Sequence, residues 1–308
     1  MLNKTCIVIS GATAAGKTKL SLQLAAYFKT NIISADSRQC YRELNIGVAK
    51  PTASDLKKIE HYCINTHSIH EEVNAGRFET YALRAVTEIF EQHDTAIMVG
   101  GTGLYLKAFC RGMDDMPEVK DQIRQWVRQQ YETLGINWLQ EMLQQHDPVF
   151  YGKGEMRNPQ RMMRALEVKL SSGKSILDLH SMPQKQRKFS IVSIGVELPR
   201  KNIYHNINKR ADDMMEEGLL KEATALYPNR HLNALQTVGY TEIFDYIDGK
   251  HTLQQAVDTI KKNTRHYAKR QLTWFKKDKT IHWFAPDDVK SIINFIEGQI
   301  NTKQQSTF

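Results

Sequence analysis

The sequence predicts an α/β protein with a parallel sheet core and an inserted helical domain. Short apolar runs rich in β-branched residues alternate with helical stretches along the 308 residues, which is typical of a doubly wound parallel sheet. The first run leads directly into a glycine-rich loop. By contrast, residues 114–188 have no strand pattern and are rich in helix formers. We therefore expect a core formed by 1–113 and 189–308, with 114–188 as the insertion.

Five stretches of the core have the pattern of a strand. They lie at 5–10, 31–36, 95–100, 189–198 and 280–285. All are short and largely apolar, as expected for strands that are covered on both faces of a parallel sheet. Helical stretches follow the first run at KTKLSLQLAAYF and the third run at LYLKAF.

The loop after the first strand is GATAAGKT, residues 11–18. The spacing G-x4-G-K-T is that of the phosphate-binding loop, in which backbone N–H groups and a helix N-terminus hold an anion. Lys17 adds a positive charge, and the Thr18 hydroxyl can reach a metal ion. Because a predicted strand and helix flank the loop, it indicates a P-loop NTPase-like core. Taken alone, the loop predicts ATP as its ligand.

A carboxylate follows the second strand rather than the third. The third strand, AIMVGG, ends in glycines and lacks the aspartate that holds Mg²⁺ in ATP-hydrolysing proteins with this loop. Asp36 ends the second strand, at the sheet edge where α/β folds bind ligands. An Asp-Ser pair there is also an ordinary turn or helix cap. The convergence of Asp36, the phosphate loop and Gly101-Thr102-Gly103 on one crevice favours a general base.

The net charge of +8 is concentrated near the C-terminus. Residues 261–279 carry eight Lys or Arg against one Asp, a net +7, with Tyr267, Trp274 and Phe275 interleaved. An amphipathic helix with a solvated basic face explains this pattern, and a contact with a phosphate backbone explains it equally well. The residues alone leave both interpretations open.

A segment of the insertion, NPQRMMRALEVKL, predicts a helix that begins with a capping Asn and a Pro at its first position. Gln160, Arg161 and Arg164 share one face of that helix, and the methionines between them belong to its buried side. Arginines on a helix face are most often simply solvated. The default partner of Arg210 is likewise an acidic residue on its own helix, such as Asp213.

The composition disfavours several other classes of protein. The four cysteines are widely separated and form no C-x-x-C pair, so we expect reduced thiols in the cytoplasm rather than zinc or disulfides. No apolar run approaches the roughly 18 residues of a membrane helix. The first apolar run is interpreted as a core strand and not a signal peptide. No feature demands a dimer, so we expect a monomer.

Seven motifs occur in the order found in the tRNA dimethylallyltransferase family. They are GATAAGKT, DSRQCYRELNIGVAKP, NAGRFETYA, GGTGLYLKAF, NPQRMMRALEV, TVGYTEI and YAKRQLTWFKKD, and the similarity spans residue 5 to about 285. The chain therefore resembles a family that transfers a dimethylallyl group from dimethylallyl diphosphate to tRNA. The acceptor is N6 of the adenosine just 3′ of the anticodon, in tRNAs that read codons beginning with U. The resemblance implies that the loop holds a diphosphate leaving group instead of ATP, with Mg²⁺ as cofactor.

The resemblance also implies roles for individual residues. Asp36 is implied as the base that takes the N6 proton, Thr102 as a second polar group near the amine, and Thr18 as a possible contact of Mg²⁺. The implied diphosphate site comprises Gly11, Ala12, Thr13, Ala14, Ala15, Gly16, Lys17, Thr18 and Arg210. The implied tRNA contacts are Asp36, Ser37, Arg38, Gln39, Thr102, Arg124, Gln160, Arg161, Met162, Met163 and Arg164, to which the basic segment adds Lys269 and Arg270.

Three alternatives compete with this interpretation. An adenylate isopentenyltransferase uses the same chemistry on a free adenine nucleotide, although a small acceptor needs neither the insertion nor the basic segment. A small-molecule kinase shares the phosphate loop and the strand-end Asp, and it consumes ATP. A non-catalytic RNA-binding protein of the same fold binds tRNA and turns nothing over.

Overall fold

The computed structural model of the chain describes residues 4–114, 116–179 and 185–305. The chain divides into two units, Met1–Arg111 with Gln186–Phe308, and Gly112–Lys185. The bounds expected from the sequence for the inserted segment, 114–188, differ from these by two and three residues. The first unit contains every strand described in the structure.

Six parallel strands form one sheet in the first unit, in the order β3-β2-β4-β1-β5-β6. They are β1 Thr5–Gly11, β2 Ile32–Ser34, β3 His61–Tyr62, β4 Thr95–Val99, β5 Ser190–Val196 and β6 His282–Phe284. The predicted parallel sheet is confirmed, and five of its strands were predicted. The exception is β3, which at two residues is too short to leave a periodic pattern. Because all strands run in the same direction, the loops after β1, β2 and β4 emerge at one edge.

The helices of the first unit surround this sheet. They are α1 Lys17–Phe28, α2 Ala53–Lys58, α3 Ala75–Gln92, α4 Gly103–Arg111, α9 Arg200–Glu216, α10 Leu219–Leu226, α11 Tyr240–Ile247, α12 Leu253–Phe275 and α13 Val289–Gln305, with short 3-10 helices at Tyr227–Asn229 and Asn233–Leu235. One face of β1 places Ile7 and Ile9 in a core with Leu20 of α1 and Ile292 of α13, all fully buried. Each such side chain stabilises the fold by about 1.5–3 kcal/mol, which fixes α1 directly behind the phosphate loop.

Arg187 fixes the C-terminal end of α4. Its Nη2 donates to Glu79 Oε1 and to the Ala108 carbonyl, both at 2.7 Å, and its Nε donates to the Phe109 carbonyl at 2.6 Å. The side chain is only 9% exposed, so these partners supply the hydrogen bonds that a buried guanidinium requires. They also satisfy carbonyls at the end of the helix. As a result, α4 is held firmly, and with it the Gly101-Thr102-Gly103 turn at which it begins.

The described part of the second unit is helical. It contains α5 Asp121–His146, α6 Pro148–Lys153, α7 Pro159–Ser172 and α8 Ile176–Leu179. Gly135 interrupts α5 with φ 76° and ψ −163°, a conformation that glycine adopts readily. Val127 and Leu143 of α5 pack with Leu166 of α7 in a core of this unit's own. Over the described residues of both units, no helix combines the length and apolar character needed to cross a bilayer.

Candidate active site

The phosphate loop lies between β1 and α1 and is braced from α9. Ala14 has a positive φ of 61°, and Asn206 Nδ2 donates to its carbonyl at 3.1 Å. Gly16, at the start of α1, also has a positive φ, and no side chain caps the helix there. The first N–H groups of α1 therefore remain free donors, which is the usual basis of an anion site at a helix N-terminus.

Two cations of this region lack carboxylate partners. Lys17 Nζ donates to the Ala12 carbonyl at 2.6 Å, and Arg210 Nη1 lies 3.4 Å from Thr13 Oγ1. Asp213 forms an ion pair with Lys209 instead, at 3.0 Å. The pairing of Arg210 with Asp213 that the sequence suggested by default is therefore not formed. Among the described residues, neither Lys17 nor Arg210 forms an ion pair. Two cations placed together, neither of them in an ion pair, form a site suited to an anion.

Burial shifts the pKa of both cations. Burial, together with the nearby charge of Arg210 and against the opposing effect of Asp36, lowers the pKa of Lys17 from the ordinary 10.5 to about 7. The pKa of Arg210 is also lowered by burial, with Asp213 opposing. Lys17 is consequently poised to change its charge near neutral pH when an anion arrives.

Asp36 occupies the turn after β2. Its Oδ1 accepts hydrogen bonds from the backbone N–H groups of Arg38 at 2.9 Å and Gln39 at 3.3 Å. Asp36 therefore closes an ordinary turn, as the Asp-Ser pair suggested. Both bonds use Oδ1, which leaves Oδ2 available as an acceptor on a side chain that lines the main cleft.

Thr102 connects the turn after β4 to the Asp36 loop. Its Oγ1 accepts from the Ser37 backbone N–H at 3.1 Å, and its hydroxyl shares a hydrogen bond with the Tyr267 phenol. Burial, with a smaller contribution from Asp36, raises the pKa of Tyr267 to about 12. Tyr267 therefore stays protonated at neutral pH and holds Thr102 beside the Asp36 loop.

Gln271 of α12 bridges the phosphate loop and the turn after β4. Its Oε1 accepts from the Thr13 backbone N–H at 2.8 Å, and its Nε2 donates to the Gly101 carbonyl at 2.8 Å. The side chain is 6% exposed. A Cβ at position 101 would lie 2.2 Å from Nε2, so this contact requires glycine. Gln271 was not predicted as a site residue, although it lies in the motif YAKRQLTWFKKD.

The phosphate loop, Asp36 and Gln271 line one cleft of about 1040 Å³, and Thr102 lies behind its lining residues Ser37, Gly101 and Tyr267. Its lining residues include Thr13, Lys17, Thr18, Asp36, Ser37, Arg38, Gln39, Arg210, Tyr267, Arg270 and Gln271. The volume is at the upper end of the range for small-molecule sites. It leaves room for an anionic ligand at the phosphate loop together with a second group at Asp36.

A further wall of the cleft is the segment 47–49, which two side chains hold in place. Gln39 Nε2 donates to the carbonyls of Val48 at 3.2 Å and Ala49 at 3.1 Å. Glu222 accepts from the backbone N–H groups of Ile46 at 2.9 Å and Gly47 at 3.1 Å. Gln39 therefore supports the wall in addition to its predicted contact with tRNA.

The chain is similar to known proteins in both sequence and fold. Residues 39–278 match the family described as IPP transferase. The chain belongs to the IPP transferase family. A tRNA dimethylallyltransferase of Christiangramia forsetii is 46% identical over 297 residues, 96% of this chain and 98% of that protein. The solved structure of the tRNA isopentenylpyrophosphate transferase of Bacillus halodurans has a TM-score of 0.74 at 34% identity and covers 99% of both chains. A structure of a eukaryotic dimethylallyltransferase acting on tRNA has a TM-score of 0.77 at 26% identity, over 93% of this chain and 75% of that one.

The resemblance predicted from the seven motifs is thereby confirmed. The family match begins at residue 39, after the phosphate loop and Asp36. Those parts fall within the nearly full-length alignments to relatives of the IPP transferase family.

The residues predicted to contact tRNA divide between the two units. In the first unit, Ser37, Arg38 and Gln39 follow Asp36, and Lys269 and Arg270 are exposed on α12. The roles assigned to them stay predictions.

In the second unit, Gln160 and Arg161 are exposed in the first turn of α7. Arg164 lies 3.5 Å from Glu167, and Arg124 is partly buried on α5. The predictions of Met162 and Met163 as tRNA contacts are not supported by their positions. These side chains are 0% and 8% exposed and pack with Val127, Leu139 and Leu143 of α5 in the core of the unit.

The lowered pKa of Lys17 predicts a pH-dependent affinity for diphosphate. Above about pH 7 the lysine is largely neutral in the free protein, so binding an anion beside it must take up a proton. We expect the affinity for inorganic diphosphate to weaken as pH rises above 7, approaching about tenfold per pH unit. Titration calorimetry at several pH values, in buffers of different ionisation enthalpy, measures both the affinity and the proton uptake.

The variant Lys17→Arg supplies the control, because a guanidinium stays charged over this range. Equal proton uptake by the variant and the wild type contradicts the assignment.

The shifted pKa of Lys17 also makes the free energy of unfolding depend on pH. Between about pH 7 and the ordinary value of 10.5, the unfolded chain binds more protons at this site, so its contribution to the free energy of unfolding rises with pH.

Proposed function

We propose that this chain transfers a dimethylallyl group from dimethylallyl diphosphate to N6 of the adenosine 3′-adjacent to the anticodon of tRNA. The acceptors are tRNAs that read codons beginning with U. One observation carries the proposal: Lys17 and Arg210, which form no ion pair within the described residues, meet the uncapped start of α1 in the same cleft as Asp36. The cleft thus has an anion-binding end and a carboxylate beside it, as the transfer from a diphosphate to an amine requires. The name tRNA dimethylallyltransferase of relatives that align over almost the whole chain supports the same activity.

The donor end of the cleft explains how the diphosphate leaves. The bond from the allylic carbon to the diphosphate oxygen breaks as the bond from that carbon to N6 forms. Negative charge then accumulates on the diphosphate, where backbone N–H groups, Lys17 and Arg210 stabilise it. No phosphoryl group is transferred, so the absence of an aspartate on β4 is consistent with this reaction.

The acceptor end supplies a base. An exocyclic amine conjugated to a purine is a weak nucleophile, and a carboxylate within hydrogen-bond reach helps by accepting its proton. We assign that role to Asp36, whose Oδ2 makes no hydrogen bond within the described residues. Thr102, held by Ser37 and Tyr267, is positioned on the neighbouring loop to orient the amine.

The residues present fit Mg²⁺ bound chiefly through the donor. Over the described ranges, no group of three His, Cys, Asp or Glu side chains converges to hold a metal ion. Thr18 lies exposed in the first turn of α1 and lines the cleft, so its hydroxyl can provide a single protein ligand. Mg²⁺ is commonly held by one or two protein oxygens together with phosphates and water. When bound there, it would neutralise charge on the diphosphate.

The acceptor base must leave its stack in the anticodon loop to enter the cleft, which costs a few kcal/mol. Phosphate and stacking contacts on exposed basic surfaces offset this cost. We assign such contacts to Lys269 and Arg270 on α12 and to Gln160, Arg161 and Arg164 on α7.

Incubation with Mg²⁺, labelled dimethylallyl diphosphate and either unmodified tRNA or AMP tests the proposal. Label is expected in tRNA, at the adenosine 3′ of the anticodon. Label in AMP alone identifies an adenylate isopentenyltransferase. ATP consumption without label transfer identifies a kinase, and tRNA binding without transfer identifies a non-catalytic protein. Each of these three outcomes overturns the proposed activity.

Replacing both Lys269 and Arg270 by alanine is expected to weaken tRNA binding in a salt-dependent manner. If each cation neutralises one phosphate, the slope of log K against log salt concentration decreases in magnitude by about 1.4 to 1.8. Fluorescence anisotropy with labelled tRNA over a range of salt concentrations measures the slope. Alanine at Lys201 and Lys290, which are also exposed, provides a control matched in charge. An unchanged slope shows that this part of α12 is merely a solvated basic face.

A further inference from the structure

A second cavity, of about 210 Å³, lies between α4, α12 and the sheet. It is called the α4–α12 slot here and shares no lining residue with the main cleft. Its lining residues are Val8, Ser10, Gly103, Leu106, Lys107, Cys110, Arg111, Ser193, Trp274, Phe275, Lys277, Asp278 and Ile281. The floor is apolar or hydroxylic, and the cations come from α4 and from the turn that follows α12, whereas α12 itself contributes Trp274 and Phe275.

Three polar groups of the slot have no partner within the described part of the chain. Trp274 is 42% exposed, and no hydrogen bond involves its indole N–H. The ammonium groups of Lys107 and Lys277 form no ion pair, whereas Arg111 pairs with Asp278. The slot therefore combines an aromatic wall with an unused donor and two unused positive charges. This combination suits a flat ring that carries an anionic group.

The slot adjoins the proposed acceptor end of the main cleft. The Trp274 indole lies against the backbone of Gly103, where an added Cβ would be 2.3 Å from Cδ1 and Nε1. Gly103 directly follows Thr102, and Arg270, which lines the main cleft, precedes Trp274 by four residues. Residues four apart on a helix are neighbours on one face, separated by about 6 Å along the axis. A strand that delivers one base to the cleft therefore passes close to the slot.

We propose that the α4–α12 slot binds an unpaired nucleotide next to the target adenosine in the same tRNA, with its base against Trp274 and its phosphate at Lys107 and Lys277. The inference rests on the proposed function, since that function brings a single-stranded loop to Thr102. Stacking of a base on an aromatic side chain contributes about 1–3 kcal/mol and tolerates different bases. The slot thereby helps to hold the loop in the opened state that extrusion of the adenosine requires.

Binding of an unmodified anticodon stem-loop RNA tests this proposal. From the strength of base stacking, Trp274→Ala is expected to raise the Kd of the RNA by about tenfold or more, while Trp274→Phe keeps most of the affinity. The affinity for dimethylallyl diphosphate should be unchanged in both variants. Tyr27→Ala removes a comparably exposed aromatic side chain from the same unit and serves as control. Wild-type RNA affinity in Trp274→Ala overturns the proposal.

A positional probe identifies the nucleotide. Stem-loops that carry 2-aminopurine at one loop position at a time are mixed with the wild type, Trp274→Ala and Trp274→Phe. When the probe lies beside the target adenosine, we expect the wild type to quench the fluorescence of 2-aminopurine. Trp274→Ala should remove this quenching, and Trp274→Phe should preserve it. Quenching that is independent of Trp274 at every position overturns the proposal, as does equally tight, Trp274-dependent binding of free AMP.

Prenyl transfer measured on the same samples separates this inference from the proposed function. Activity of the wild type with no dependence of RNA affinity on Trp274 overturns the inference alone. Trp274-dependent RNA binding without any transfer to RNA overturns the proposed activity and supports the slot.

Discussion

Replacing Asp36 by asparagine is expected to lower kcat for transfer to tRNA by about 10²–10⁴-fold, the usual contribution of a positioned general base. Asparagine retains an Oδ1 that can accept from the backbone N–H groups of Arg38 and Gln39, so the turn after β2 should persist. What is lost is the negative charge and the ability to accept the N6 proton. The affinity for tRNA should remain close to that of the wild type.

Single-turnover kinetics with both substrates bound measures this effect. Because Asp36 raises the pKa of Lys17, the variant should also lose some charge at Lys17. Comparison at about pH 6.5, below the value of about 7, keeps the lysine protonated in the wild type and limits this secondary effect. Asp94→Asn, on the exposed side chain that pairs with Lys4, is the matched control. If Asp36→Asn retains more than about a tenth of the wild-type kcat, a group other than Asp36 accepts the N6 proton.

The parts of the site that the sequence predicts are those built by short stretches of chain. The stretch TCIVISGATAAGKT and the residues that follow it specify a strand, a phosphate loop and a helix by residue 28. Parallel strands then place Asp36 and Thr102 at the same sheet edge as that loop, because the carboxyl ends of such strands coincide. Periodicity and parallel topology together were therefore sufficient to bring these residues into one crevice.

Other features depend on contacts that periodicity does not encode. The second strand ends at Ser34 rather than at Asp36, because the Asp36 carboxylate closes a turn onto the following N–H groups. On α7, the motif NPQRMMRALEV includes exposed and buried residues alike, and only the packing separates Arg161 from the buried Met162. A motif defines a segment of chain, and the structure decides which of its side chains face outward.

Gln271 is the clearest case of a contact that local patterns cannot reveal. It bonds to Thr13, 258 positions earlier, and to Gly101, 170 positions earlier. A glutamine within a basic helical segment carries no local signal for either partner. Its side chain nonetheless connects the phosphate loop to the turn that bears Thr102. The donor and acceptor ends of the proposed site are therefore held by the same residue.

We therefore expect Gln271→Leu to lower kcat by about 10²-fold, the loss that a misplacement of about 1 Å produces in an enzyme active site. Leucine fills much of the volume but leaves the Thr13 N–H and the Gly101 carbonyl without their partners. Single-turnover kinetics with both substrates bound reports the chemical step, and anisotropy reports tRNA affinity, which should change little. Gln254→Leu, at an exposed position on the same helix, controls for the substitution itself.

Two further measurements separate positioning from mere stabilisation by Gln271. In Gln271→Glu, the carboxylate still accepts from Thr13 but faces the Gly101 carbonyl with an oxygen, so kcat should stay low even if the melting temperature recovers. If Gln271 acts by positioning the turn that bears Thr102, Gln271→Leu and Thr102→Val impair the same step. The free-energy losses of the two single variants, calculated from kcat, then add up to more than the loss of the double variant. Strictly additive effects, or a loss of kcat that tracks the fraction unfolded, show that Gln271 only stabilises the fold. Overlapping losses with an intact fold show that one buried amide aligns the acceptor amine with the departing diphosphate.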